Sequence, residues 1–141
     1  MSKPVWQDEQ TITAPVSEGD GTLGSVFRSQ GRAYAAIAIK QFNLAALTDM
    51  TINLEASHDQ IQWFKVVSPG NNAAVVITLS ADINDVSPVA EDEGNLTTFV
   101  DAAGLAVAIP APYWRVRVDF ATSESPASTV TLVYSLVSYD L

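Results

Sequence analysis

Residues 113–120 read YWRVRVDF. Trp114, Val116, Val118 and Phe120 fall on one side of a two-residue repeat, and Tyr113, Arg115, Arg117 and Asp119 on the other. Successive side chains of an extended strand point to opposite faces. The stretch therefore predicts a strand with one face on a core and the other face polar. The same period runs through STVTLVYSLVSYDL (128–141), where Val130, Leu132, Tyr134 and Leu136 share a face. Thr129, Thr131, Val133, Ser135 and Val137 share the opposite, half-polar face.

Working outward, TLGSVFRS (22–29), AYAAIAIKQF (33–42), TINLEAS (51–57), WFKVV (63–67), AAVVITLS (73–80), LTTFV (96–100) and LAVAIP (105–110) carry the same signature. Gly, Pro, Asn, Asp and Ser break them into short pieces, and no helical periodicity competes. In 33–42, Ala35, Ile37 and Ile39 alternate, which favours a strand over an alanine-rich helix. Ala35, Ala36 and Ala38 are small enough for close approach, either inside the domain or between subunits. About eight or nine short strands predict an all-β, jelly-roll-like antiparallel sandwich. Residues 1–20 read as an extended N-terminal arm with at most one short edge strand, TITAPV (11–16), and residues 21–141 as the sandwich.

Composition limits the chemistry. With 141 residues, 48% of them hydrophobic, the chain suits one domain with a real core. It has no cysteine, which removes disulfides and thiolate metal sites. Seven basic against sixteen acidic residues give a net charge of −9. The cations are scattered along the chain, so no basic stripe points to direct nucleic-acid binding. No apolar run suggests a signal peptide or a membrane span, so synthesis in the cytoplasm and no membrane partner are expected.

Four candidate sites stand out. His58 and Asp59 invite a general-base reading, oriented by Asp59 or Glu55, but no activated nucleophile accompanies them. A hairpin turn explains them better, because an Asp carboxylate accepts hydrogen bonds from backbone N–H groups two residues on. The acidic loop ADINDVSPVAEDEGN (81–95) offers Asp82, Asp85, Glu91, Asp92 and Glu93 as calcium ligands. Its spacing lacks the glycine and terminal glutamate of an EF-hand, so solvated carboxylates are the ordinary expectation and no cofactor is assigned.

Adjacent in one strand, Trp63 and Phe64 must point to opposite faces. One of them is offered to solvent, a subunit or a glycan unless loops or the second sheet cover both, which is the ordinary expectation. Val5 and Trp6 sit in the arm, where a lone tryptophan makes an anchor. Arg115 and Arg117, on one strand face, could hold an acidic ligand, with Asp119 or cross-strand carboxylates as their usual partners.

INLEASHDQIQWFKV (52–66) resembles the strand, Ser-x-Asp turn and Trp-Phe strand of small β-sandwich proteins among tailed-bacteriophage virion components. It is also similar to discoidin-like surface-binding sandwiches. IPAPYWRVRVDF (109–120) with STVTLVYSL (128–136) looks like the closing part of that pattern. Gln60 departs from it, since glycine usually follows the aspartate.

The resemblance implies a non-enzymatic head decoration (cement) protein on the outer capsid surface. Its partner would be the major capsid protein, and its own assembly a homotrimer. Deleting residues 2–14 would then remove shell binding and leave the sandwich folded. A tail, neck or baseplate component is the near alternative, and a carbohydrate-binding module the distant one.

Overall fold

The computed structural model describes residues 3–15, 22–43, 49–67, 75–80, 95–120 and 129–141. Among them lie eleven β segments and no helix: β1 (Val5–Trp6), β2 (Gln10–Pro15), β3 (Thr22–Leu23), β4 (Phe27–Arg28), β5 (Tyr34–Asn43), β6 (Asp49–Ser57), β7 (Phe64–Lys65), β8 (Val76–Ser80), β9 (Asn95–Thr98), β10 (Tyr113–Phe120) and β11 (Thr129–Tyr139). All pairings between them are antiparallel.

Two sheets form. In the β11 sheet, β5 lies between β11 and the edge strand β9, while β1 and β2 run end to end along the other side of β11. In the β10 sheet, β10 pairs with β6; β3 and β4 line the outer side of β10, and β7 and β8 that of β6. Each sheet is thus four strand positions wide, which is how eleven segments meet the expectation of eight or nine strands. The result is an all-β antiparallel sandwich.

The two-residue repeats direct the packing. Trp114, Val116 and Val118 of β10, Ile52 and Leu54 of β6, Ile37 and Ile39 of β5, and Leu132, Tyr134 and Leu136 of β11 are buried in one cluster between the sheets. Trp114 meets Phe27 edge-on, with centroids 6.1 Å apart, and its Nε1–H donates to the Ala111 carbonyl at 3.0 Å. A buried tryptophan with a satisfied N–H combines large apolar burial with no stranded donor. Ala35 faces this core, while Ala36 lies on the outer side of the same strand.

Three sequence expectations change. TLGSVFRS is split into β3 and β4 around Gly24. Tyr134 reaches across from β11 to that point, and a methyl group on Gly24 would collide with its hydroxyl and lie 2.9 Å from Val116 Cγ2. The Tyr134 hydroxyl is buried close to the Ser25 backbone, without a well-formed hydrogen bond to any described residue. Burial pushes its pKa far above the ordinary phenol value, opposed weakly by the nearby Ser25 backbone.

LAVAIP is not a strand. Apart from one bridge, Ala106 to Val100, it crosses the end of the sandwich, with Val107 N–H to the Phe99 carbonyl and Ile109 N–H to that of Ala33. Val107 and Ile109 plug the gap between the sheets, a use of alternation that period alone cannot distinguish from a ladder strand.

The N-terminal segment is extended, yet within residues 5–15 it is paired along β11 of its own sheet. Val5 and Ile12 face the core. The Gln7 side chain covers the break between β1 and β2 by accepting from the Leu136 N–H at 3.2 Å. Removing residues 2–14 would strip an edge strand and core side chains together, so that truncation does not separate docking from folding. The 81–94 segment lies outside the described residues, and the calcium reading with it.

Candidate functional site

The 57–62 hairpin is built from two side-chain oxygens. The Ser57 hydroxyl accepts from the N–H groups of Asp59 (3.2 Å) and Gln60 (2.8 Å), and donates to Asp59 Oδ1 at 3.1 Å. Asp59 Oδ1 also accepts from the N–H groups of Ile61 and Gln62, each at 2.9 Å. Those two backbone donors hold the Asp59 carboxyl below its ordinary pKa. Gln60 sits at φ 62°, the left-handed conformation for which glycine is the usual residue. His58 is exposed at the tip, and Asp59 is engaged by its own turn, so the pair is a hairpin element.

This hairpin lays Trp63 against the outer face of the β10 sheet. There the registers place Arg115 opposite Glu55, which faces Lys65, and Arg117 opposite Asn53. Arg115 Nε donates to Glu55 Oε1 at 2.7 Å, and the Arg115 Cζ lies 4.0 Å from the centre of the Trp63 ring. The guanidinium is fixed in its plane by the carboxylate and from above by the indole.

Arg117 Nε donates to Asp119 Oδ1 at 3.2 Å, and its Nη1 is 4.0 Å from Glu55 Oε2. Asn53 donates to Asp119 Oδ2 at 2.6 Å, with Lys65 Nζ 3.9 Å from the same oxygen. At the hairpin end, Arg28 donates to the Tyr113 hydroxyl at 3.0 Å. That bond, followed by the guanidinium charge, lowers the Tyr113 pKa. Glu55 is buried although it lies on an outer face, because these long side chains cover it.

The outer face of the β11 sheet is different. Pairing aligns Trp6, Val137, Ala36 and Thr98 in one row across all four strand positions, with Ser135, Ala38 and Leu96 in the next. Trp6 is 54% and Leu96 65% exposed; between them Ala36 and Val137 form a buried floor. Pro4, Trp6 and Tyr139 face Leu96 and Thr98 across a shallow groove of about 360 Å³. Lys40 lies beyond it, paired with Glu9 at 3.2 Å.

The chain matches no family model and no curated protein.

The candidate residues therefore divide between faces. Arg115, Arg117 and Trp63 are brought together, with the carboxylates Glu55 and Asp119 as the expected ion-pair partners. Trp6 stands alone on the opposite side, while its neighbour Val5 turns inward. Covering of both adjacent aromatics does not hold: Phe64 points away from Trp63 and is 63% exposed, beside a cavity of about 260 Å³ with Ala56, His58 and Ile109. Arg28 and Lys65 join the cationic face without having been singled out in the sequence. The Trp63-x-Lys65 spacing was the available signal for Lys65. No signal marked the Trp6 row, because it depends on the register of four strands. Among the described residues, no group of three or more His, Asp or Glu side chains is placed to hold a metal.

Proposed function

We propose that this protein is a non-enzymatic structural component of a tailed-phage virion, a decoration protein that docks on the outside of the head and stabilises it. Its strand positions run, in chain order, through the β11, β10, β11, β10, β10, β11, β10 and β11 sheets. That alternation supports reading the sandwich as a jelly roll, an architecture used by viral capsid and lectin domains. Fold alone assigns no role, and the reading draws on the virion-like hairpin and closing strands for its context.

The observation that carries it is the uncharged row Trp6, Val137, Ala36 and Thr98 on a chain of net charge −9. Copies of so acidic a protein repel one another over most of their surface. The row itself carries no charge; Asp140, at the end of the groove, accepts from the Ala33 N–H, and Glu9 is paired with Lys40. Such a row is where a second copy can approach, and an exposed tryptophan at its rim is the kind of residue that dominates interface energy. We assign this face to self-association, into the homotrimer implied by the resemblance, leaving other surfaces for the shell protein.

Quantitative mass spectrometry of purified particles of the encoding phage tests the assignment. The expected result is a copy number close to that of the major capsid protein. A far smaller ratio moves the chain to the neck, tail or baseplate. Absence from particles overturns the virion reading and favours a glycan-binding module. That rival must contend with Trp63, one face of which is already occupied by Arg115.

A further inference from the structure

We propose that the outer face of the β10 sheet is a docking site for an acidic protein segment, whose carboxylates are received by Arg115 and Arg117. The inference does not rest on the virion assignment; it would stand for any host assembly. Four of the chain's seven cations, Arg28, Lys65, Arg115 and Arg117, lie on this one face. The described carboxylates paired with them are Glu55 and Asp119, so the face keeps an excess of positive charge on a strongly acidic chain. Of the remaining three, Lys40 pairs with Glu9, Arg32 donates to the carbonyls of Lys3 and Gln30, and Lys3 is exposed near the N-terminus.

Geometry makes these cations receptors as well as a network. Arg115 uses Nε for Glu55 and a ring face of Trp63 for stacking, while its Nη edge makes no hydrogen bond to a described residue. A guanidinium already held in place loses little freedom when a carboxylate binds it in a fork. Beside it, the Arg117 and Lys65 side chains remain 36% and 45% exposed. Tyr113 and Arg28 extend the same surface toward the hairpin.

A short acidic segment touches only this face and avoids the acidic remainder of the chain. A long nucleic-acid strand would have to run over that remainder as well, which is why an acidic peptide is the favoured occupant.

The test is fluorescence anisotropy of the full chain with a labelled glutamate-rich peptide and, in parallel, a labelled single-stranded oligonucleotide of equal length. The proposal expects saturable peptide binding that weakens by about tenfold between low and high salt. Arg117→Glu and Lys65→Glu should each weaken it by about tenfold, while Lys40→Glu changes it by less than about twofold. Two separate reversals keep the test decisive should one variant fail to fold. No peptide binding at low salt, equal loss with Lys40→Glu, or tighter binding of the oligonucleotide would overturn the proposal.

Discussion

The two outer faces of this sandwich are made by the same alternation and do opposite things with it. On the β10 sheet the outward positions of the paired central strands are Arg115, Arg117 and Asp119 against Glu55 and Asn53, and they close into a hydrogen-bonded network. On the β11 sheet the outward positions are Val137 and Ser135 against Ala36 and Ala38, and they leave a flat floor rimmed by Trp6 and Leu96. A polar face stays wet unless a charged partner displaces the water. A floor of small, uncharged side chains gains by being covered, since burying apolar area contributes roughly 25 cal/mol per Å². The difference teaches that the period sets which residues face outward, and their identities set what the face can meet.

The largest effect should come from breaking the charged network at its buried member. Glu55→Ala leaves Arg115 without its carboxylate, and chemical denaturation should show a loss of about 2 kcal/mol, less than for a fully buried pair because the guanidinium keeps contact with water. Ala38→Ser on the opposite face should change stability by less than about 0.5 kcal/mol, since Ala38 supports no paired charge.

Ala36→Glu sharpens the comparison from the other side. It places a carboxylate on the floor between Trp6 and Leu96. It should cost about 1 kcal/mol of folding stability yet abolish self-association measured by light scattering. Retained assembly would mean that the β11 face is not the contact.

A smaller gain is expected in the hairpin that carries Trp63. Gln60 occupies a left-handed conformation, so Gln60→Gly should raise stability by about 0.5 kcal/mol in thermal melts, the relief of strain being partly offset by the freer unfolded chain.

The least effect at neutral pH concerns Asp59. Its folded pKa is depressed by the Gln62 and Ile61 amides, so its stabilisation is complete above the unfolded value near 3.8 and is lost as pH falls through the folded one. Asp59→Asn should therefore shrink the drop in Tm on acidification below about pH 4. An unchanged acid limb would show that the turn's hydrogen bonds do not stabilise the ionised form.

How legible this was in the sequence varies with the physics. The strand at 113–120 was readable because Trp114, Val116 and Val118 answer to one core, and the Ser57–Asp59 turn because its side chains act on backbone atoms two and three residues away. The division of 22–29 was not readable, since Gly24 is needed by a tyrosine more than a hundred residues later in the chain. The same holds for 105–110, where alternation serves an end plug instead of a ladder. Of the candidate residues, Arg115 and Arg117 were visible as a pair on one strand. Their grouping with Lys65 and Arg28, and the alignment of Trp6 with Ala36 and Thr98, follow from long-range registers that no local window contains.

Sedimentation equilibrium of the wild type and Ala36→Glu, each at about 0.15 M and about 1 M NaCl, tests the central claim most directly. Raising the salt shortens the screening length from about 8 Å to about 3 Å, which weakens charge-driven contacts and also relieves repulsion between acidic copies. An interface centred on the uncharged Trp6 row of the β11 sheet predicts a wild-type oligomer that persists or tightens in high salt, and a monomeric Ala36→Glu. A wild type that is monomeric throughout, or an oligomer that dissolves in high salt and survives Ala36→Glu, would contradict it.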